Sequence, residues 1–236
     1  MTPTPERFRR LARSSPYRWD ALAFDVAWPD RAVRALVRRP DLLRVEDGRG
    51  RLLQAGRQAV GPLMAPLTSD GSGVPYLRPR PPAVLDEDGL HTVPRVPWNE
   101  PDGVPMWQDY RWVAMLDPAE LVDGTDGEHG TELLELRPVD HHGRPAWEAL
   151  LRPTDAYEPR CSCCPLLWSP QSAAAEAAAG LPVPEGATYA DAHLVRLDVE
   201  TGVCVLTREV GGPRDGQGHD LRITEVDGAH DPALFR

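Results

Sequence analysis

HLVRLDVETGVCVLTREVGGPRDGQGHDLRITEV, residues 193–226, is the stretch whose reading decides the fold. His193, Val195, Leu197 and Val199 occupy every second position, and Glu200-Thr201-Gly202 closes them with a tight turn. Val203 to Val210 runs back as a β-branched-rich segment. A polar Gly/Asp/Pro loop then leads into Leu221–Val226. Alternation with period two, punctuated by glycine turns, predicts an antiparallel meander of three strands with one buried face.

The same period appears near the other end of the chain. Thr4-Pro5-Glu6 reads as a helix start, and Phe8, Leu11 and Ala12 follow at helical spacing until Ser14-Ser15-Pro16 stops the run. From Trp19 the period changes to two. Leu22, Phe24, Val26 and Trp28 form one strand. Val33, Ala35 and Val37 form the next, and Leu43 and Val45 continue the sheet into a hairpin at Asp47-Gly48-Arg49-Gly50, followed by Leu52 and Leu53. Leu133–Val139 and Arg144–Leu151 predict a further hairpin around Asp140-His141-His142-Gly143. Ala173–Ala179 predicts a helix ended by Gly180.

Between the meanders, residues 61–109 carry a proline every few positions. Proline removes a ladder donor wherever it sits, so this stretch is expected to cross the sheet as an irregular segment. Aromatic and apolar residues gather from 93 to 115: Val93, Val96, Trp98, Met106, Trp107, Tyr110, Trp112 and Met115. They either plug an open face of the sheet or line a pocket. A short helix is expected within Met106–Leu116, and another capped turn at Asp117-Pro118-Ala119-Glu120-Leu121. The fold class expected is therefore mainly β with a few helices (α+β), in one domain spanning residues 1–236.

Charge and composition narrow the function classes. The net charge is −10 and all 26 basic residues are arginine, a skew that cautions against reading function into any single Arg. An acidic chain of this kind repels nucleic-acid phosphates and anionic headgroups. The basic cluster Arg7, Arg9, Arg10, Arg13 and Arg18 reads first as the solvated face of the opening helix. No stretch approaches the ~18–20 apolar residues of a membrane span, and no apolar core follows the N-terminal arginines as a secretory signal requires. A cytoplasmic location, with no nucleic acid and no membrane insertion, is the expectation.

Several short stretches resemble one family. These are Arg38-Arg39-Pro40-Asp41-Leu42-Leu43-Arg44-Val45-Glu46, Gly143-Arg144-Pro145-Ala146-Trp147, Leu197-Asp198-Val199-Glu200-Thr201-Gly202, and Thr224-Glu225-Val226 followed by Asp231-Pro232-Ala233-Leu234-Phe235. With the order of elements, they are similar to the LolA-like lipoprotein carriers and their relatives, including sensor domains of some anti-sigma regulators. The resemblance implies a strongly curved antiparallel half-barrel whose concave face is covered by helices and loops; in the carriers that cavity holds acyl chains. On this reading the chain is a non-enzymatic binding protein for an apolar small molecule or lipid, its cavity lined by Phe24, Trp28, Trp107, Trp112 and Trp147.

The resemblance supplies nothing like Cys161-Ser162-Cys163-Cys164-Pro165, the sharpest chemical signal in the chain. Thiols on one tight turn can share a metal, and three of them suit Zn²⁺ or Cu(I) with a fourth ligand from His141, His142, His193 or Cys204. The expected ligand set is Cys161, Cys163, Cys164 and His142, with zinc as the cofactor. A reversible disulfide and an idle structural cluster stay open beside it, as does a plain protein-interaction module. No second C-x-x-C, P-loop, H-E-x-x-H, G-x-S-x-G or EF-hand loop is present, and no catalytic residue is assigned. Asp86-Glu87-Asp88 and 123–128 read as solvated acidic loops.

Overall fold

The structure, a computed structural model, describes residues 2–58, 82–94 and 104–236. Most of the Pro-rich stretch, Val96 and Trp98 included, lies outside the described residues. Nine antiparallel strands form one open sheet: β1 Ala21–Trp28, β2 Arg31–Arg38, β3 Leu42–Asp47, β4 Leu52–Arg57, β5 Thr131–His141, β6 Arg144–Pro153, β7 Ala192–Asp198, β8 Cys204–Val210 and β9 Gly218–Val226. Their order across the sheet is β4-β3-β2-β1-β9-β8-β7-β6-β5. Both expected meanders are present, and β1 joins them by pairing with β9, Phe24 opposite Ile223 and Val26 opposite Leu221. The edge strands β4 and β5 do not meet, so the sheet is a half-barrel and not a closed one.

Strand parity divides the side chains between two faces. Phe24, Val26, Val33, Ala35, Val37, Leu43, Val45, Trp147, Ala149, Leu151, Val195, Leu197, Leu221 and Ile223 share the concave face and are buried. The convex face carries Arg137, Glu148 and Arg196, where the Glu148 carboxylate accepts from both arginines, at 2.7 Å from each Nε. The tip of the β5–β6 hairpin lies over this face. His141 Nε2 donates to the Leu221 carbonyl at 2.9 Å, and His142 Nε2 lies 2.7 Å from an Asp220 carboxylate oxygen.

Helices fill the concavity. Helix α1, Pro5–Ser14, starts where the sequence places it: the Thr4 hydroxyl accepts from the Arg7 amide, Pro5 occupies the first turn and Glu6 adds an acid there. Phe8, Leu11 and Ala12 face the core. Its arginines are not simply solvated, because Arg7 pairs with Asp88, Arg10 with Glu6 and Asp86, and buried Arg13 with Asp123. They pin the 86–91 turn and the 123 loop to the helix. Helix α2 spans Tyr110–Leu116, later than the earliest expected start, because Gln108 holds a positive φ of 64° and Asp109 caps the first turn. Helix α3, Pro170–Ala178, starts earlier than its alanines suggest, at a reciprocal cap between Ser169 and Ser172.

The aromatic residues of α2 and the segment before it plug the sheet. Trp28, Trp107, Trp112 and Phe24 follow one another with ring centroids 6.3, 5.5 and 5.2 Å apart. Such spacing is ordinary core packing for rings. At the far edge the one-turn helix Pro232–Phe235 lays Phe235 against β3 and β4, and Arg44 donates to the Leu234 carbonyl.

Candidate functional site

Three sulfurs converge on one turn. The Cys164 amide donates to the Cys161 carbonyl at 3.4 Å, which closes residues 161–164 into a tight bend. Cys161 Sγ lies 3.0 Å from Cys163 Sγ, Cys163 Sγ lies 3.8 Å from Cys164 Sγ, and all three fall within 4.8 Å of one another. Cys163 is exposed, Cys161 half-buried and Cys164 buried. No disulfide joins them. Cys161 is the first to ionise, at about 5, because the S–H groups of Cys164 and then Cys163 donate to its thiolate. The same contact holds the Cys164 thiol up, with burial adding to it.

The turn is held from below by Glu120. This carboxylate is fully buried in the one-turn helix Pro118–Leu121. It accepts from the Tyr157 hydroxyl at 3.0 Å and from the amides of Arg160 and Leu166 at 2.8 Å each. Residues on both sides of the thiols are therefore tied to one anchor. Burial raises the pKa of Glu120 above the usual carboxylate range, although its donors and the Arg160 charge oppose the shift.

The other candidate ligands sit elsewhere. His142 groups with His141 and Asp220 on the convex face, not with the thiols. His141 is committed to other bonds: Nε2 donates to Leu221, which leaves Nδ1 to accept from Arg196 at 3.1 Å. Burial lowers its pKa accordingly. Cys204 is buried in β8 and lies outside the thiol cluster, its thiol pushed up by desolvation.

Beside the thiol turn a cavity of about 390 Å³ opens at one end of the concave face. Pro165 and Leu166, directly after Cys164, form part of its wall. Trp28, Arg31, Arg111, Trp168, His193 and Glu209 form others, with Thr207, Arg214 and His219. The strands explain the polarity. His193, Thr207, Glu209 and His219 have the same parity as Val195 and Leu221, so at this end the inward row turns from apolar to polar. His219 Nε2 donates to the Cys204 carbonyl at 2.8 Å, and its Nδ1 lies 3.0 Å from the Thr207 hydroxyl. Burial pushes His193 and His219 down to about 4, so both rings are neutral at pH 7. Glu209 pairs with Arg214 at 3.0 Å.

Of the five aromatic residues expected to line a ligand cavity, Trp28 borders this one. Phe24, Trp107, Trp112 and Trp147 are packed into the core at 0–6 % exposure. The polar lining was missed in the sequence, although a signal was there: His193 stands in phase with Val195 and Leu197, where an apolar residue is expected.

The sequence matches no known protein-family profile and no curated protein. Among solved structures the chain is similar to a crystal structure of MucB, at 12 % identity and a TM-score of 0.38. The likeness covers 96 % of this chain and 60 % of that one, so the chain spans less than two thirds of the length of the protein it matches.

Proposed function

We propose that this is a non-enzymatic binding protein whose working group is the trithiol turn, and that it takes a zinc ion. One observation carries the reading: three sulfurs from four consecutive residues lie within 4.8 Å of one another. Zn–S bonds of ~2.3 Å at tetrahedral angles place sulfurs ~3.8 Å apart. The Cys163–Cys164 separation of 3.8 Å already has that value, and the Cys161–Cys163 separation of 3.0 Å would need to open. That movement falls on the exposed Cys163 side chain. Among the described residues no fourth His, Cys, Asp or Glu joins the group. An open fourth position suits a site that exchanges its metal or passes it on, since structural zinc sites are closed by four protein ligands.

The burial of Phe24, Trp107, Trp112 and Trp147 gives the apolar-ligand reading less support. A second reading has a specific observation behind it. The 3.0 Å approach of Cys161 and Cys163 favours a reversible disulfide, formed when the two thiols lose two protons and two electrons to an external disulfide.

The test is a zinc titration against a chromophoric chelator, in phosphine reductant and without oxygen. The wild type should withdraw one zinc per chain, and Cys161→Ser, Cys163→Ser and Cys164→Ser should each abolish or sharply weaken this. His142→Ala should leave it unchanged. If wild type and the triple serine variant withdraw zinc alike, the proposal fails. An intact mass two hydrogens lower on exposure to glutathione disulfide, with no zinc withdrawn under reduction, would select the disulfide reading.

A further inference from the structure

The cavity beside the thiols has a chemistry of its own, independent of any metal. Three arginines reach it against two carboxylates, Asp30 and Glu209, so the lining is net positive in a chain whose net charge is −10. Arg214 is neutralised by Glu209 at 3.0 Å. Arg111 makes no direct ion pair among the described residues: its Nε donates to the neutral Pro165 carbonyl at 3.3 Å, and it meets the Glu209 charge only at longer range. Arg31 stacks its guanidinium on indoles, 4.5 Å from the Trp28 ring centre and 5.3 Å from that of Trp107. Its Nε is buried without a hydrogen-bond partner. Arg31, which also donates to Gln108, therefore adds a fixed positive charge to the wall, and Arg111, facing only a carbonyl, keeps donors for an anion. The two neutral histidines add no charge to them.

The walls specify the rest of the ligand. Trp28 and Trp168 present indole surface, and a cavity of about 390 Å³ falls within the ~300–1,000 Å³ that holds small molecules. Arginine combined with indole recognises a planar group bearing a negative charge, by paired hydrogen bonds and by stacking. We propose that this cavity binds a small organic anion: a carboxylate, sulfonate or phosphate carried on a flat ring. Glu209 is the carboxylate that opposes such a ligand, and its ion pair with Arg214 is the contact that an anion competes with.

Two dyes with the same ring system separate this from an apolar pocket. 8-Anilino-1-naphthalenesulfonate carries the anion, and N-phenyl-1-naphthylamine lacks it. Fluorescence titration should show one site for the sulfonate and none of comparable affinity for the neutral dye. Arg111→Gln and Arg214→Gln should each weaken the sulfonate about tenfold, the equivalent of ~1.4 kcal/mol. Glu209→Gln should tighten it, a gain that general loosening of the fold would not produce. Arg208→Gln, which removes the same charge from the convex face, should change nothing. Equal binding of the two dyes, no sulfonate binding, or arginine variants within twofold of wild type would each overturn the proposal. Circular dichroism confirms that the variants are folded.

Discussion

Replacing Glu120 should release the thiol turn, and the hydrogen bonds set the size of the effect. Oε1 accepts from the Tyr157 hydroxyl and the Leu166 amide, and Oε2 accepts from the Arg160 amide. In Glu120→Gln the smallest loss puts the new NH₂ in place of Oε2, where it faces the Arg160 N–H donor to donor. One lost bond and a stranded N–H cost about 1–3 kcal/mol. Part of that is returned, because a neutral amide escapes the burial penalty that raises the Glu120 pKa. The net expectation is about 1–2 kcal/mol for Gln. Glu120→Ala strands all three donors and leaves a cavity, so a loss of about 4 kcal/mol or more is expected. Urea unfolding measures both. A thiol reagent gives a local readout. In the wild type Cys161 and Cys163 should react fast, and buried Cys164 and Cys204 slowly. In Glu120→Ala, Cys164 should join the fast class while Cys204, inside β8, stays slow. A Glu120→Ala protein within about 1 kcal/mol of wild type, with unchanged thiol classes, would refute the anchoring role.

Acid should destabilise the fold through the two cavity histidines. Burial lowers His193 and His219 from 6.5 to about 4, so the unfolded chain binds protons more readily and stability falls as pH drops from 6.5 towards 4. At ~1.4 kcal/mol per pH unit, each ring should cost about 2 kcal/mol at pH 5. Glu120 and Glu209, with raised values, act in the opposite sense, so His219→Gln is compared with wild type at each pH; an unchanged slope between pH 7 and 5 would contradict the assignment. Gly202→Ala should also destabilise strongly. Gly202 has φ +73°, and an added Cβ would lie 2.6 Å from the Leu11 carbonyl oxygen and 3.1 Å from the Ser15 amide. A loss above about 2 kcal/mol is expected by urea unfolding, whereas a neutral effect would mean that α1 does not press on the β7–β8 turn.

Much of the sheet was legible because alternation is a local property. Leu22 to Trp28 and His193 to Leu197 declare their buried face from spacing alone, and Asp198 to Gly202 declares its turn. The Asp198 carboxylate accepts from the Thr201 amide and hydroxyl, and the turn's glycine supplies the positive φ. The neighbour of each meander was not legible, since nothing in the alternation of β1 or β9 says that Phe24 will face Ile223. Alternation likewise cannot tell an aromatic that plugs a face from one that lines a hollow. Trp112 and Trp28 look alike in sequence, and only packing separates core from cavity wall. The cysteines were found because adjacency in sequence forces adjacency in space. His142 was a less direct inference, being near in sequence to β6 but carried by the hairpin tip onto the opposite face from the core. The arginine-lined cavity depended on long-range packing of Arg31, Arg111 and Arg214, from three separate segments.

X-ray absorption at the zinc edge, on protein loaded with one equivalent under reducing conditions, tests the trithiol assignment most directly. A trithiol site gives three sulfur neighbours at about 2.3 Å and one lighter atom, with the sulfur shell lost when Cys161, Cys163 and Cys164 are all serine. A shell of nitrogen and oxygen alone, or one that the serine variant leaves unchanged, would contradict it.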